Sequence, residues 1–182
     1  VSNLMKGMTV MGLDMYLSAK VSLFHAPNLA TLGEKDSEGF THQARENKMA
    51  SDIVGVFGFD VPDDGSSLGQ VQVTLPVGQW RKANHIHNFF LNGREDNCEP
   101  IYINDDVIND LERRCQKVLK NNLLAEDRLP TMSGFFFGST EYDEGYFADL
   151  EDTLEVISRW RKIKASLEEK KLFVELVYQA SW

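Results

Sequence analysis

Between Phe147 and Leu167 the apolar residues Phe147, Leu150, Leu154, Ile157, Trp160, Ile163 and Leu167 recur at three- and four-residue steps. That period belongs to a long α-helix with one apolar face. Such a face has to be covered by something else in the chain, and the cover on offer has a different period. In "GLDMYLSAKV", Leu13, Met15 and Leu17 alternate with Asp14, Tyr16 and Ser18, the two-residue repeat of a strand with one buried face. "DIVGVFGF" and "QVQVTL" read as two further β-rich runs forming an antiparallel pair, separated by the turn chemistry of "DVPDDGSSLG". "EPIYI" is a short strand. The closing "KKLFVELVYQASW" is strand-like and a candidate partner for the first strand.

After "EPIYI", Asn104 is placed to cap "DDVINDLERRCQKVLKNN" as a helix with acid in its first turn and base in its last. Strands in the first half, helices in the second and a final strand predict the α+β class: a small, mostly antiparallel sheet packed against two or three helices. At 182 residues with 42% apolar side chains, a single domain is expected. Met11 is a candidate start, which would leave residues 1–10 as an N-terminal extension. Residues 25–70 look like a variable insertion, with "LGEKDSEG" as an exposed loop.

Two stretches exceed what a plain core element needs. The first is "WRKANHIHNFF". No Gly or Pro interrupts Trp80 to Leu91, and Trp80, Ala83, His87 and Phe90 share one side at helical spacing, so a helix is predicted over 80–91. On a helix His85 and His87 stand about 200° apart and cannot hold one metal ion. His87 is expected to be buried in the apolar stripe beside Trp80 and Asn84. His85 is expected on the wetter face with Arg81 and Asn88. The bland reading of His87 is a core histidine satisfied by neighbours; the sharper one is the floor of a ligand pocket.

The second stretch is "SGFFFGSTEYDEGYF", Ser133 to Phe147. Gly134 and Gly138 bracket three phenylalanines, which predicts a short buried strand with permissive ends. Ser139 or Thr140 then precedes Glu141, Asp143 and Glu144 as a helix N-cap followed by an acidic turn. The two stretches are expected to meet in space, forming a ligand pocket from Trp80, Arg81, Asn84, His85, His87, Ser139, Thr140, Glu141, Tyr142 and Asp143. In that arrangement Ser139, Thr140, Tyr142 or Asp143 would satisfy His87.

The 19 basic residues against 28 acidic ones give a formal charge of -9. That balance disfavours direct contact with nucleic acid or an anionic membrane. No apolar run approaches bilayer length, and the N-terminus lacks the plan of a signal peptide, so a cytoplasmic location is expected. Two cysteines, Cys98 and Cys115, fit a reduced state. The acidic neighbours of Cys98 argue against a nucleophilic thiol. No phosphate loop, nucleophile elbow or metalloprotease helix is present, and no cofactor, metal or catalytic residue is assigned.

The runs "MGLDMYL", "WRKANHIHNFF", "DNCEPIYI" and "LPTMSGFFFGSTEYDEGYFADLEDT" resemble a family of small uncharacterised proteins of tailed bacteriophages and prophages. Some of its members are labelled phosphoglycerate kinase, a label this chain does not support, being too short and without a nucleotide loop. The resemblance implies a phage-encoded accessory protein in the host cytoplasm and supplies no mechanism. The reading is therefore one of binding, to a host protein or a small polar ligand, with homo-oligomers allowed. One alternative is a metal-assisted hydrolase of nucleotides or phosphoesters, with Asp143 or Glu144 joining Asp14 or Asp96 around Mg²⁺ or Mn²⁺. Another is an acidic DNA-mimicking inhibitor using Glu144, Glu151 and Glu155.

Overall fold

A computed structural model describes residues 12–60 and 69–182; the proposed extension 1–10 lies outside them. Four strands, β1 (Asp14–His25), β2 (Gly69–Arg81), β3 (Ile101–Ile103) and β4 (Phe173–Ser181), form one antiparallel sheet in the order β2-β1-β4-β3. Five helices accompany it: α1 (His42–Val56), α2 (Asn84–Leu91), α3 (Asp105–Lys120), α4 (Ala125–Arg128) and α5 (Glu144–Glu169). The class is α+β, and the closing strand does pair with the first.

The described residues divide into two compact units, with β1, β2, β4 and α5 contributing to both. One comprises the chain up to Ser18, Pro76–Arg159 and Val177–Trp182. Its core includes Leu13, Met15 and Leu17, which are buried as their alternation predicts. The start of α5 docks on the end of β2 there. Trp80 Nε1 donates to Thr153 Oγ1 at 3.0 Å, and Arg159 reaches the Val77 carbonyl at 2.9 Å. Asn104 caps α3 by accepting from the Val107 N–H at 3.0 Å, with Asp105 and Asp106 in the first turn and Lys117 and Lys120 in the last.

The second unit comprises Ala19–Leu75 and Trp160–Leu176, and it corrects the reading of "DIVGVFGF". Those residues end α1 and enter a turn, and they form no strand. Thr41 accepts from the Ala44 N–H at 3.1 Å, and "HQARENKMASD" then propagates a helix through good helix formers. The β-branched tail follows because nucleation has already happened upstream. With no strand at Asp52–Phe59, β2 pairs with β1. Residues read as an insertion thus carry Ala50, Met49 and Ile53, which pack with Val21, Leu23, Val71 and Leu75.

Candidate functional site

The helix read over 80–91 begins only at Asn84. Trp80 and Arg81 end β2. Strand pairing persists to Lys82, whose N–H donates to the Leu13 carbonyl at 2.8 Å, and Lys82 then takes a left-handed φ of 62°. A lysine in that region breaks an element without the usual glycine or proline signal. The whole first turn of α2 is buried: Asn84, His85, Ile86 and His87. His85, expected on the wet face, is only 3% exposed, because its ring lies 4.1 Å from that of Tyr146.

The two conspicuous stretches do meet. Asn84 Nδ2 donates to the carbonyls of Phe137 (3.0 Å) and Ser139 (2.7 Å), while Asn84 Oδ1 accepts from the Met132 N–H at 3.0 Å. The Phe137 ring stands edge-on to His87 with centroids 5.3 Å apart. Residues 135–137 form a turn and no strand, with Phe135 93% exposed and Phe137 buried. The turn approaches β2 so closely that a Cβ on Gly138, which has φ +89°, would lie 2.9 Å from Lys82 Cβ. Only glycine fits there.

His87 draws its partners from elsewhere. Its Nδ1 is 2.7 Å from the Tyr178 hydroxyl and its Nε2 is 2.8 Å from Asp96 Oδ2, which also accepts from Trp182 Nε1 at 2.9 Å. None of Ser139, Thr140, Tyr142 and Asp143 is bonded to the ring. Ser139 Oγ accepts from the Glu141 N–H, and the Thr140 carbonyl accepts from Thr131. Asp143, and neither Ser139 nor Thr140, caps α5 by accepting from the Tyr146 N–H at 3.0 Å. Tyr142 stacks edge-on to Tyr146 at 5.0 Å.

The Tyr178–His87–Asp96 chain has the atoms of a proton relay, with Tyr178 1% exposed and His87 0%, and both residues border a cavity of about 330 Å³. Burial, then nearby Asp96 and Cys98, push the Tyr178 phenol well above its usual range. The hydroxyl stays protonated, so it can donate a hydrogen bond to Nδ1, an arrangement that puts the ring hydrogen on Nε2, facing Asp96. The network locks β4, α2 and the 94–98 segment together. Tyr178→Phe is expected to destabilise the fold by about 1–3 kcal/mol in urea unfolding, the penalty of a buried nitrogen left without a donor. An unchanged unfolding midpoint would mean that the ring is held by packing alone.

The carboxylates named for metal chemistry are dispersed into other tasks. Asp143 caps α5, Asp96 holds His87, and Asp14 Oδ1 lies 3.8 Å from Arg81 Nε. Among the described residues no group of three or more His, Cys, Asp or Glu side chains is arranged to hold an ion.

A larger cavity of this unit lies on the His85 side of α2. It has a volume of about 490 Å³ and lies between α2, β3, α3 and the Arg128–Pro130 segment, and His85 is the one residue of the expected pocket that lines it. His85, Asn88 and Phe89 contribute at helical i, i+3 and i+4 positions. Tyr102 and Asn104 contribute from β3 and the α3 cap, and Asp110 and Arg114 from α3. Arg114 is fixed by Asp110 Oδ2 and the Arg128 carbonyl, each at 2.9 Å, and its guanidinium lies 5.3 Å over the Phe89 ring. Asn88 Nδ2 donates to the Pro130 carbonyl at 3.0 Å.

His85 Nε2 is buried and has no hydrogen-bond partner among the described residues. Burial pushes its imidazole down to about 4, so the ring is uncharged at neutral pH. The smaller cavity of about 330 Å³ is lined by His87, Asp96, Cys98 and Tyr178 along the 94–100 segment, so His87 is the residue of the expected pocket that borders this second space. The lining that sequence reasoning missed, Asn88, Phe89, Tyr102, Asn104 and Arg114, had one usable signal: the i, i+3, i+4 face of His85 once α2 starts at Asn84. No protein-family model matches the chain, and comparison with the curated proteins and with the solved structures found no match.

Proposed function

We propose that this is a phage-encoded accessory protein of the host cytoplasm that binds a small polar ligand in the cavity between α2, β3 and α3. The observation that carries the reading is His85, a neutral imidazole in the cavity wall with a ring nitrogen that no described protein group satisfies. Buried polar atoms are normally paired, and leaving one unpaired costs about 1–3 kcal/mol. Nε2 itself has no accessible surface, so a ligand that supplied the missing hydrogen bond would do so after a shift of the covering side chains, converting that penalty into affinity. The cavity volume of about 490 Å³ falls in the range of small-molecule sites, and its mixture of ring faces with a few polar groups is their usual composition.

The test is thermal-shift screening with nucleosides, sugars, amino acids and their phosphorylated forms, on the wild type and on His85→Leu. At least one class is expected to raise the melting temperature of the wild type, since binding only the folded state stabilises it. The variant should fold and lose most of that shift. If no compound gives a shift that His85→Leu removes, the cavity is not a ligand site of this kind.

A further inference from the structure

Resting on that reading, we infer the chemical class of the ligand: a planar heterocycle of the nucleobase kind. Three features of the cavity point to it. Tyr102 is 61% exposed in the wall and has no ring partner among the described residues. An exposed aromatic face of that kind is a stacking platform for a flat ring.

The polar edges are complementary as a pair. Asn88 spends its Nδ2 on the Pro130 carbonyl, which leaves its Oδ1 as an acceptor without a partner among the described residues. Asn104 spends its Oδ1 on the Val107 N–H, which leaves its Nδ2 as a donor without one. One amide donor and one amide acceptor on a common wall match the mixed edge of a base.

Charge sets the rest. Arg94, Arg114 and Arg128 line the cavity against Asp106 and Asp110, so the wall itself tolerates a phosphate on the heterocycle, while the formal charge of -9 opposes a polyanionic strand. The ligand is therefore a single base, nucleoside or nucleotide and not a strand.

Titration calorimetry with adenosine, guanosine, cytidine and uridine, and with ribose and glutamine as the sugar and amide pieces alone, tests the assignment. At least one nucleoside should bind, and ribose and glutamine should bind at least tenfold more weakly. Tyr102→Ala should weaken the nucleoside about tenfold and Tyr102→Phe should restore it, because stacking needs the ring and not the hydroxyl. Asn104→Asp keeps the capping oxygen but loses the donor, so binding should fall about tenfold with the melting temperature unchanged. If ribose or glutamine binds as well as any nucleoside, or if Tyr102→Ala has no effect, the heterocycle is the wrong class while the ligand cavity stands. Binding of sugars or amino acids with no nucleoside binding has the same meaning. If no compound binds at all, the class and the cavity reading fall together.

Discussion

Asn84→Ala is expected to lower the unfolding free energy by about 3 kcal/mol or more, a large share of the stability of a protein this size. One side chain holds three backbone groups of the 132–139 turn: the Phe137 and Ser139 carbonyls and the Met132 N–H. Asn84 is itself 1% exposed. Each bond contributes about 0.5–1.5 kcal/mol, and each buried group abandoned without a partner costs more. Alanine offers none of the three. Asn84→Asp is the sharper comparison, since a carboxylate keeps the acceptor for Met132 but turns a second oxygen toward two carbonyl oxygens. It should be at least as damaging as alanine although it is closer in shape. Limited proteolysis should also show cleavage beside Phe135, which is already exposed, far faster in both variants. If Asn84→Asp proved as stable as the wild type in urea, the turn would be held by Phe137 packing and not by the amide.

That side chain also shows where sequence reading stops. The strand of Leu13, Met15 and Leu17, the Asn104 cap and the long helix of Leu150, Ile157 and Trp160 were legible because each pattern lies within one segment. The contact of α2 with the triple-phenylalanine turn was legible as a need for cover, but its chemistry was not. Asn84 makes the link, and His87 is satisfied by Tyr178, 91 residues away in the chain. Periodicity says which face is buried and carries no information about which distant residue arrives there. It also assumed two faces for α2. Because Lys82 rather than a glycine breaks the backbone, apolar spacing alone starts the helix four residues early and places His85 in solvent. In fact Tyr146 and the cavity wall enclose it. The α1 helix is hidden in the sequence for the opposite reason: "DIVGVFGF" has β-rich composition, but the Thr41 cap and the helix formers behind it decide its conformation.

The buried His85 gives the second large expectation, which concerns pH. Its imidazole is pushed by burial from the ordinary 6.5 down to about 4, so in this pH range the unfolded chain binds the proton more readily than the folded one. Its contribution to stability is present in full above pH 6.5 and is lost as pH falls toward 4. The loss is on the order of 3 kcal/mol, at about 1.4 kcal/mol for each unit of pKa. Asp149 works in the opposite sense. Burial, then Asp152 and Asp143, raise its carboxyl from 3.8 to about 6, so the folded state holds that proton more tightly and loses stability as pH rises from 3.8 to 6. The two slopes oppose one another between pH 4 and 6, and the wild-type profile should be flatter there than that of either single variant. In His85→Leu, stability should fall as pH rises through this window. In Asp149→Asn it should fall as pH drops. Urea unfolding at half-unit intervals from pH 7.5 to 4.5 resolves the two contributions. The decisive quantity is the stability of the wild type minus that of His85→Leu, which should decline steadily toward acid. A difference that stays constant across the range would mean that water reaches the His85 ring, and a hydrated ring would not need the ligand proposed for it.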